Sequence, residues 1–170
     1  MRQRRGNRRL RPVRRAAIVA VVAGRLIDVY QTGLLEGSKN NPFWGRNEVY
    51  SQWVGQHDWT VSREFDVDAS VLSAKEVVLR LEDVDCFATV RVNGHEVGRT
   101  SNRFQRYDFD VKGALKAGAN DIRVRFRSTE LISYAETNKY DREFNIANAT
   151  VKKINLVRTV QCHGGWDWGI

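Results

Sequence analysis

The chain has 170 residues, enough for one domain with a sizeable buried core. Its formal net charge of +8 is concentrated at the start, where "MRQRRGNRRLRPVRR" holds eight arginines and no acid. The other 20 basic residues match the 20 acidic ones, so the body is neutral. That argues against a nucleic-acid-binding fold, which carries its basic face on the folded surface. The apolar run "AAIVAVVAG", residues 16 to 24, is too short to span a bilayer. Two readings of residues 1–24 stand. A basic start, a short apolar run and small residues at Val21 and Ala23 have the form of a signal peptide. Alternatively, Ala16 to Val29 is the first strand and the arginines form a disordered leader. Cytoplasmic and exported locations both remain open.

The next stretch, "NNPFWGRNEVYSQWVGQHDW", does not read as a strand. It holds Phe43, Trp44, Trp53 and Trp59 among polar residues, and loop packing against a sheet is the reading that composition favours. The chain then alternates with period two. "WTVSREFDV" puts Trp59, Val61, Phe65 and Val67 on one face, and "EVVLRLED" aligns Val77, Leu79 and Leu81. "FATVRVNGHEVGRT" is two short runs around Asn93-Gly94, a strong hairpin signal. "RYDFDV" aligns Tyr107, Phe109 and Val111, and "NDIRVRFRS" aligns Ile122, Val124 and Phe126. Between them "KGALKAGAN" reads as a turn or short helical loop, and "TELISYAETNKY" as a short helix. Many short strands separated by turns predict an all-β fold, an antiparallel jelly-roll β-sandwich.

Chemistry-bearing residues are sparse. Cys86 and Cys162 lie outside any CxxC pattern and read as structural, with a disulfide between them left open. His163 follows Cys162, but two ligands do not make a zinc site. His57 beside Asp58 lacks a nucleophile in a suitable turn, so nucleophilic catalysis is not predicted. No pair of carboxylates is nominated as catalytic. Asn148-Ala149-Thr150 is a glycosylation sequon, meaningful only in a protein secreted by a eukaryote. The chain closes on "GWDWG", residues 165 to 169, with Asp167 between Trp166 and Trp168.

These pieces, in this order, resemble the N-terminal part of the β-mannosidases of glycoside hydrolase family 2. "IDVYQTGLLEG" with "NNPFWGRNE", then "QWVGQHDWTVSREFDV", then "VVLRLEDVDCFATVRVNGHEVGRTSNRFQRYDFDV", and finally "VRTVQCHGGWDWG" match stretches of that family. The resemblance covers about residues 25–170, with "WDWG" its most distinctive part. It departs at the beginning, where the family has a tryptophan and a Val-Pro-Gly turn and this chain has "VAGR".

The resemblance implies a galactose-binding-domain-like jelly roll over 25–170, set before immunoglobulin-like domains and a TIM barrel. The family's two catalytic glutamates lie in the barrel, so no catalytic residue is expected in this chain, which then stands as a front piece of a longer enzyme. The whole enzyme would be exo-acting and would hydrolyse terminal non-reducing β-D-mannose residues. Asp167 is expected to accept hydrogen bonds from hydroxyls of a β-mannoside, with Trp166 and Trp168 offering apolar surface. Asp28, Asn47 and Glu48 read as loop-holding residues, and Asn102 and Arg103 as ordering a strand entry. The expected partners are the carbohydrate and a barrel in cis, with no nucleic acid and no membrane span. No metal and no cofactor is implied. A free-standing carbohydrate-binding module and a purely scaffolding sandwich are the alternatives, because jelly rolls host many functions.

Overall fold

The computed structural model describes residues 15–18, 44–140 and 156–160. Among the described residues seven strands form two sheets. They are β1 (Arg15–Ile18), β2 (Trp59–Val67), β3 (Glu76–Leu81), β4 (Ala88–Val92), β5 (His95–Thr100), β6 (Tyr107–Asp110) and β7 (Gly118–Phe126). One sheet has the order β1-β3-β6 and the other β2-β7-β4-β5. The period-two patterns become strands with one buried face. Val77, Leu79 and Leu81 of β3 meet Val90, Val92, Ile122 and Val124 of the other sheet in one core. Val77 and Val90 are sealed from solvent. The expected all-β sandwich is therefore what these residues build.

One pair departs from the antiparallel expectation. β1 runs parallel to β3, with Arg15 opposite Glu76 and Ile18 opposite Leu79. A parallel pair needs a crossover connection. The long stretch between them, which includes β2, supplies it. The other pairs among these seven strands are antiparallel.

The Asn93-Gly94 hairpin forms as read. Both turn residues take positive φ, 49° and 82°, as a two-residue hairpin turn with right-handed twist requires. Asn93 does more than turn the chain. Its side-chain NH₂ donates to Ala114 O at 2.8 Å and to Asn120 Oδ1 at 2.7 Å, and its Oδ1 accepts from Asp121 N–H. Buried Asn120 donates to the carbonyls of Lys116 and Gly118 and accepts from Lys116 N–H. Two carboxamides thus satisfy the backbone of the "KGALKAGAN" loop, whose helical part is a short 3₁₀ turn at Lys112–Ala114.

The register of β4 and β5 shifts between Val90 and Arg91, which pair with Gly98 and Glu96. The extra residue, Val97, makes a bulge, and Val97 and Phe109 both pack on the core. Gly98 lies under the Phe109 ring. A Cβ at this position would sit 2.2 Å from Phe109 Cε1, so only glycine lets the β6 ring approach so closely.

Helix is short and peripheral. α1 is Asn47–Tyr50, followed by a 3₁₀ turn at Gln52–Gln56; α2 is Ala69–Leu72, capped by Asp68 accepting from Ser70 N–H at 2.7 Å. α3, Thr129–Thr137, is the helix expected from "TELISYAETNKY". Ser128 caps it by accepting from Leu131 N–H at 3.0 Å.

Candidate functional site

Asp167, Trp166 and Trp168 lie outside the described residues, as do Cys162, His163, Asp28, Phe43 and the sequon at Asn148. The described part of the C-terminal segment is 156–160, which leads toward them. It seats on the rim of the sandwich. Asn102 and Arg158 form a parallel bridge, and Arg103 N–H donates to Arg158 O at 2.8 Å. Thr159 Oγ1 donates to Asp85 Oδ1 at 2.5 Å. Val157 and Thr159 are buried while Arg158 points outward, the alternation of an added strand.

The loop that receives this segment is itself held firmly. The Tyr107 hydroxyl accepts from Ser101 and Asn102 N–H at 3.0 and 2.9 Å and donates to Asn102 O at 3.3 Å. Asn102 Oδ1 accepts from Phe104 N–H at 2.9 Å, closing an Asx turn. Arg103 pairs with Asp83. Phe104 stays 64% exposed, with the Arg158 guanidinium 5.4 Å from its ring centre. Asn102 and Arg103 thus order this loop, and they also bind the incoming segment, which sequence reading missed. The "NRF" spacing signals the Asx turn; nothing in it signals a partner at position 158.

The tryptophan-rich stretch splits in two. Trp59 opens β2, with its indole N–H donating to Val54 O at 2.9 Å, and its ring lies 6.0 Å from that of Trp53. Those two rings pack on one another, with Trp53 still 38% exposed. Trp44 and Tyr50 are 70% and 73% exposed. The Asn47 backbone N–H bonds back to Trp44 O at 3.1 Å, closing a turn before α1.

His57 and Asp58 form no dyad. His57 Nδ1 is 2.7 Å from Trp53 O. Asp58 accepts from Ser128 N–H at 2.9 Å and pairs with Arg125 at 3.0 Å, while Ser128 Oγ donates to Gly55 O at 2.6 Å. The Ser128 N–H holds the Asp58 carboxyl below the usual range, with help from Arg125 and against the opposing effect of burial. Asp58 therefore clips the start of β2 to the start of α3.

Cys86 is a buried free thiol, its Sγ 3.8 Å from Thr129 Oγ1. Burial pushes it up to about 11. Such a thiol is a packing group. Among the described residues no three His, Cys, Asp or Glu side chains group as metal ligands would, and no helix is long and apolar enough to cross a membrane.

Comparison with known proteins gives these features a setting. A probable beta-mannosidase of Caenorhabditis elegans is 32% identical over 157 residues, spanning 84% of this chain and 16% of that protein. Beta-mannosidase B of Aspergillus niger is 32% identical over 142 residues, spanning 83% of this chain and 17% of that protein. The crystal structure of beta-D-mannosidase from Dictyoglomus thermophilum superposes with a TM-score of 0.72 at 30% identity, covering 84% of this chain and 17% of that one. The chain thus spans a small fraction of the length of the relatives it matches. The family model described as "Glycosyl hydrolase 2 galactose-binding domain-like" matches residues 12–170. With that match and the two-sheet fold together, the chain belongs to the galactose-binding domain-like family of glycosyl hydrolase 2.

Proposed function

We propose that this domain is the N-terminal, sugar-contacting part of an exo-acting β-mannosidase that hydrolyses terminal non-reducing β-D-mannose residues. The observation that carries the reading is a family match running through residue 170, hence across "GWDWG", together with similarity to proteins named β-mannosidase. The chain covers 15–17% of the relatives' lengths, which supports a catalytic barrel acting in cis. In this reading the domain body is residues 25–170, and residues 1–24 are an arm whose Arg15–Ile18 portion adds β1 to the sheet.

The chemistry suits Asp167. A carboxylate accepts two or more hydroxyl hydrogen bonds, and charged acceptors hold them more tightly than neutral ones. Such bonds strengthen as an oxocarbenium-like transition state develops. Trp166 and Trp168 would screen the contact from water. The domain binds and orients the sugar; the acid, base and nucleophile belong to the barrel.

The test begins with the coding sequence beyond codon 170. The polypeptide it encodes should hydrolyse p-nitrophenyl β-D-mannopyranoside, and the 170-residue chain alone should not. Asp167→Asn in that polypeptide should lower kcat/KM by about 10- to 150-fold, the worth of hydrogen bonds to a charged group. An unchanged kcat/KM, a frame without a glycosidase domain, or turnover by the 170-residue chain would each overturn the proposal. Millimolar or tighter binding of manno-oligosaccharides by the chain alone would favour a free-standing module instead.

A further inference from the structure

Large apolar side chains are unevenly exposed on this domain. Seven stand exposed among the described residues, and four of them, Trp44, Val49, Tyr50 and Trp53, lie between positions 44 and 53. A fifth, Leu131, is on α3. α1 leads into the 3₁₀ turn at Gln52–Gln56, and that turn packs on the start of α3, where Gly55 O accepts from Ser128 Oγ at 2.6 Å. These five side chains therefore belong to one corner of the molecule. The stretch "WGRNEVYSQWVGQH", residues 44 to 57, supplies that corner with two tryptophans and a tyrosine, and its charged residues are Arg46 and Glu48. Aromatic enrichment with few charges is the composition of the buried centre of a protein interface. Trp59 shows the ordinary alternative, half-buried with its indole N–H bonded to Val54 O.

The size of the patch bears on what covers it. An aromatic side chain offers about 150–250 Å² for burial, so Trp44 at 70%, Tyr50 at 73% and Trp53 at 38% exposure present about 270–450 Å² together. A stable pair of separate molecules needs about 800 Å² on each partner. A contact between domains of one chain is smaller, about 300–750 Å² a side, because linkage holds the partner at an effective concentration of about millimolar. The patch fits the second case. The relatives, of which this chain spans 16–17%, have the further polypeptide that such a contact needs.

We propose that Trp44, Tyr50 and Trp53, with Val49 and Leu131 beside them, form the docking face for a second folded domain of the same polypeptide. This takes from the function proposed above only that such a domain exists in cis. The aromatic rings supply apolar area at little cost in side-chain freedom, and the tyrosine hydroxyl and indole N–H groups can bond at the edge of the contact.

Hydroxyl-radical labelling read by mass spectrometry tests the face. In the 170-residue chain Trp44 and Tyr50 should oxidise as exposed side chains do. In the longer polypeptide, read on through codon 170, both should oxidise about fivefold more slowly or less, with Trp59 changing little. Tyr50→Lys puts a charge into the face. It should leave the Tm of the 170-residue chain in place, as exposed substitutions do, and should return Trp44 and Trp53 of the longer polypeptide to fast labelling.

Fast labelling of Trp44 and Tyr50 in the longer polypeptide would overturn the docking face, and hydrolysis of p-nitrophenyl β-D-mannopyranoside by that polypeptide would leave the functional proposal standing. Slow labelling without hydrolysis does the reverse. Slow labelling already in the 170-residue chain also overturns the docking face: if it persists on dilution the chain's own residues cover the patch, and if it vanishes a second copy does. A reading frame that encodes no further domain sinks both proposals.

Discussion

Replacing Gly98 by alanine puts a methyl group into the ring of Phe109. The new Cβ would lie 2.2, 2.3 and 2.5 Å from Cε1, Cδ1 and Cζ. Carbon atoms settle at 3.5–4.0 Å, so the ring must retreat by about 1.3 Å. It has little room, because it packs between the sheets with Tyr107 6.0 Å away. Overpacking of this kind costs about 1–3 kcal/mol. The loss of glycine's freedom in the unfolded chain offsets about 0.4–1 kcal/mol. A net loss of about 1–2 kcal/mol should lower Tm by about 2–8 °C in a chain of this size, read by circular dichroism at fixed pH. Phe109→Leu withdraws the ring atoms, so the two changes together should cost less than their sum by at least about 0.5 kcal/mol. A Tm equal to or above the parent's, or strict additivity with Phe109→Leu, would refute the account of sheet contact at this point.

Two further expectations concern titration. The Asp58 carboxyl titrates below 3.8 in the folded chain, chiefly because Ser128 N–H bonds it. Its stabilisation is therefore complete above that value and is lost as pH falls through the folded pKa. In urea unfolding the parent should exceed Asp58→Asn by about 1 kcal/mol near pH 6, and the gap should shrink as pH falls below 3.8 and through the folded pKa; a gap independent of pH would contradict the clip. The Cys86 thiol, raised from 9.0 to about 11 by burial, should react with a disulfide reagent at pH 8 about 100-fold more slowly in the folded Cys162→Ser chain than in the same chain unfolded. Between pH 9 and 11 the unfolded thiol loses its proton first, so the group's contribution to stability falls as pH rises through that window.

Much of the fold was legible because burial of one face leaves a period-two trace. Trp59, Val61, Phe65 and Val67 and their counterparts in β3, β4 and β7 face inward as their spacing predicts. Asn93-Gly94 was legible because positive φ at two successive residues restricts the choice of side chain. What escaped depends on partners far away in sequence. Asn120 looks like any turn asparagine until it meets Asn93, and Gly98 looks like a strand defect until Phe109 lies on it. Asp58 invited comparison with its neighbour His57, whereas its partners are Arg125 and Ser128. The parallel sense of β1 left no mark in its four residues. At the candidate site, Asp167, Trp166 and Trp168 rest on resemblance, while the contact of Thr159 with Asp85 was invisible because the two lie 74 residues apart in sequence.

The sheet order β2-β7-β4-β5 also sets a clock. Among the described residues β2 is an edge strand, paired with β7, with Val67 opposite Gly118 and Trp59 opposite Phe126. During synthesis at about 5–20 residues per second, β2 waits about 3–12 s after Val67 before Phe126 has been made. Over that interval Trp59, Val61, Phe65 and Val67 are an unpaired apolar edge. The β4–β5 hairpin, closed by its own turn, has no such wait. A ribosome-bound chain paused before β7 should therefore recruit chaperone through β2, and one paused well after it should not.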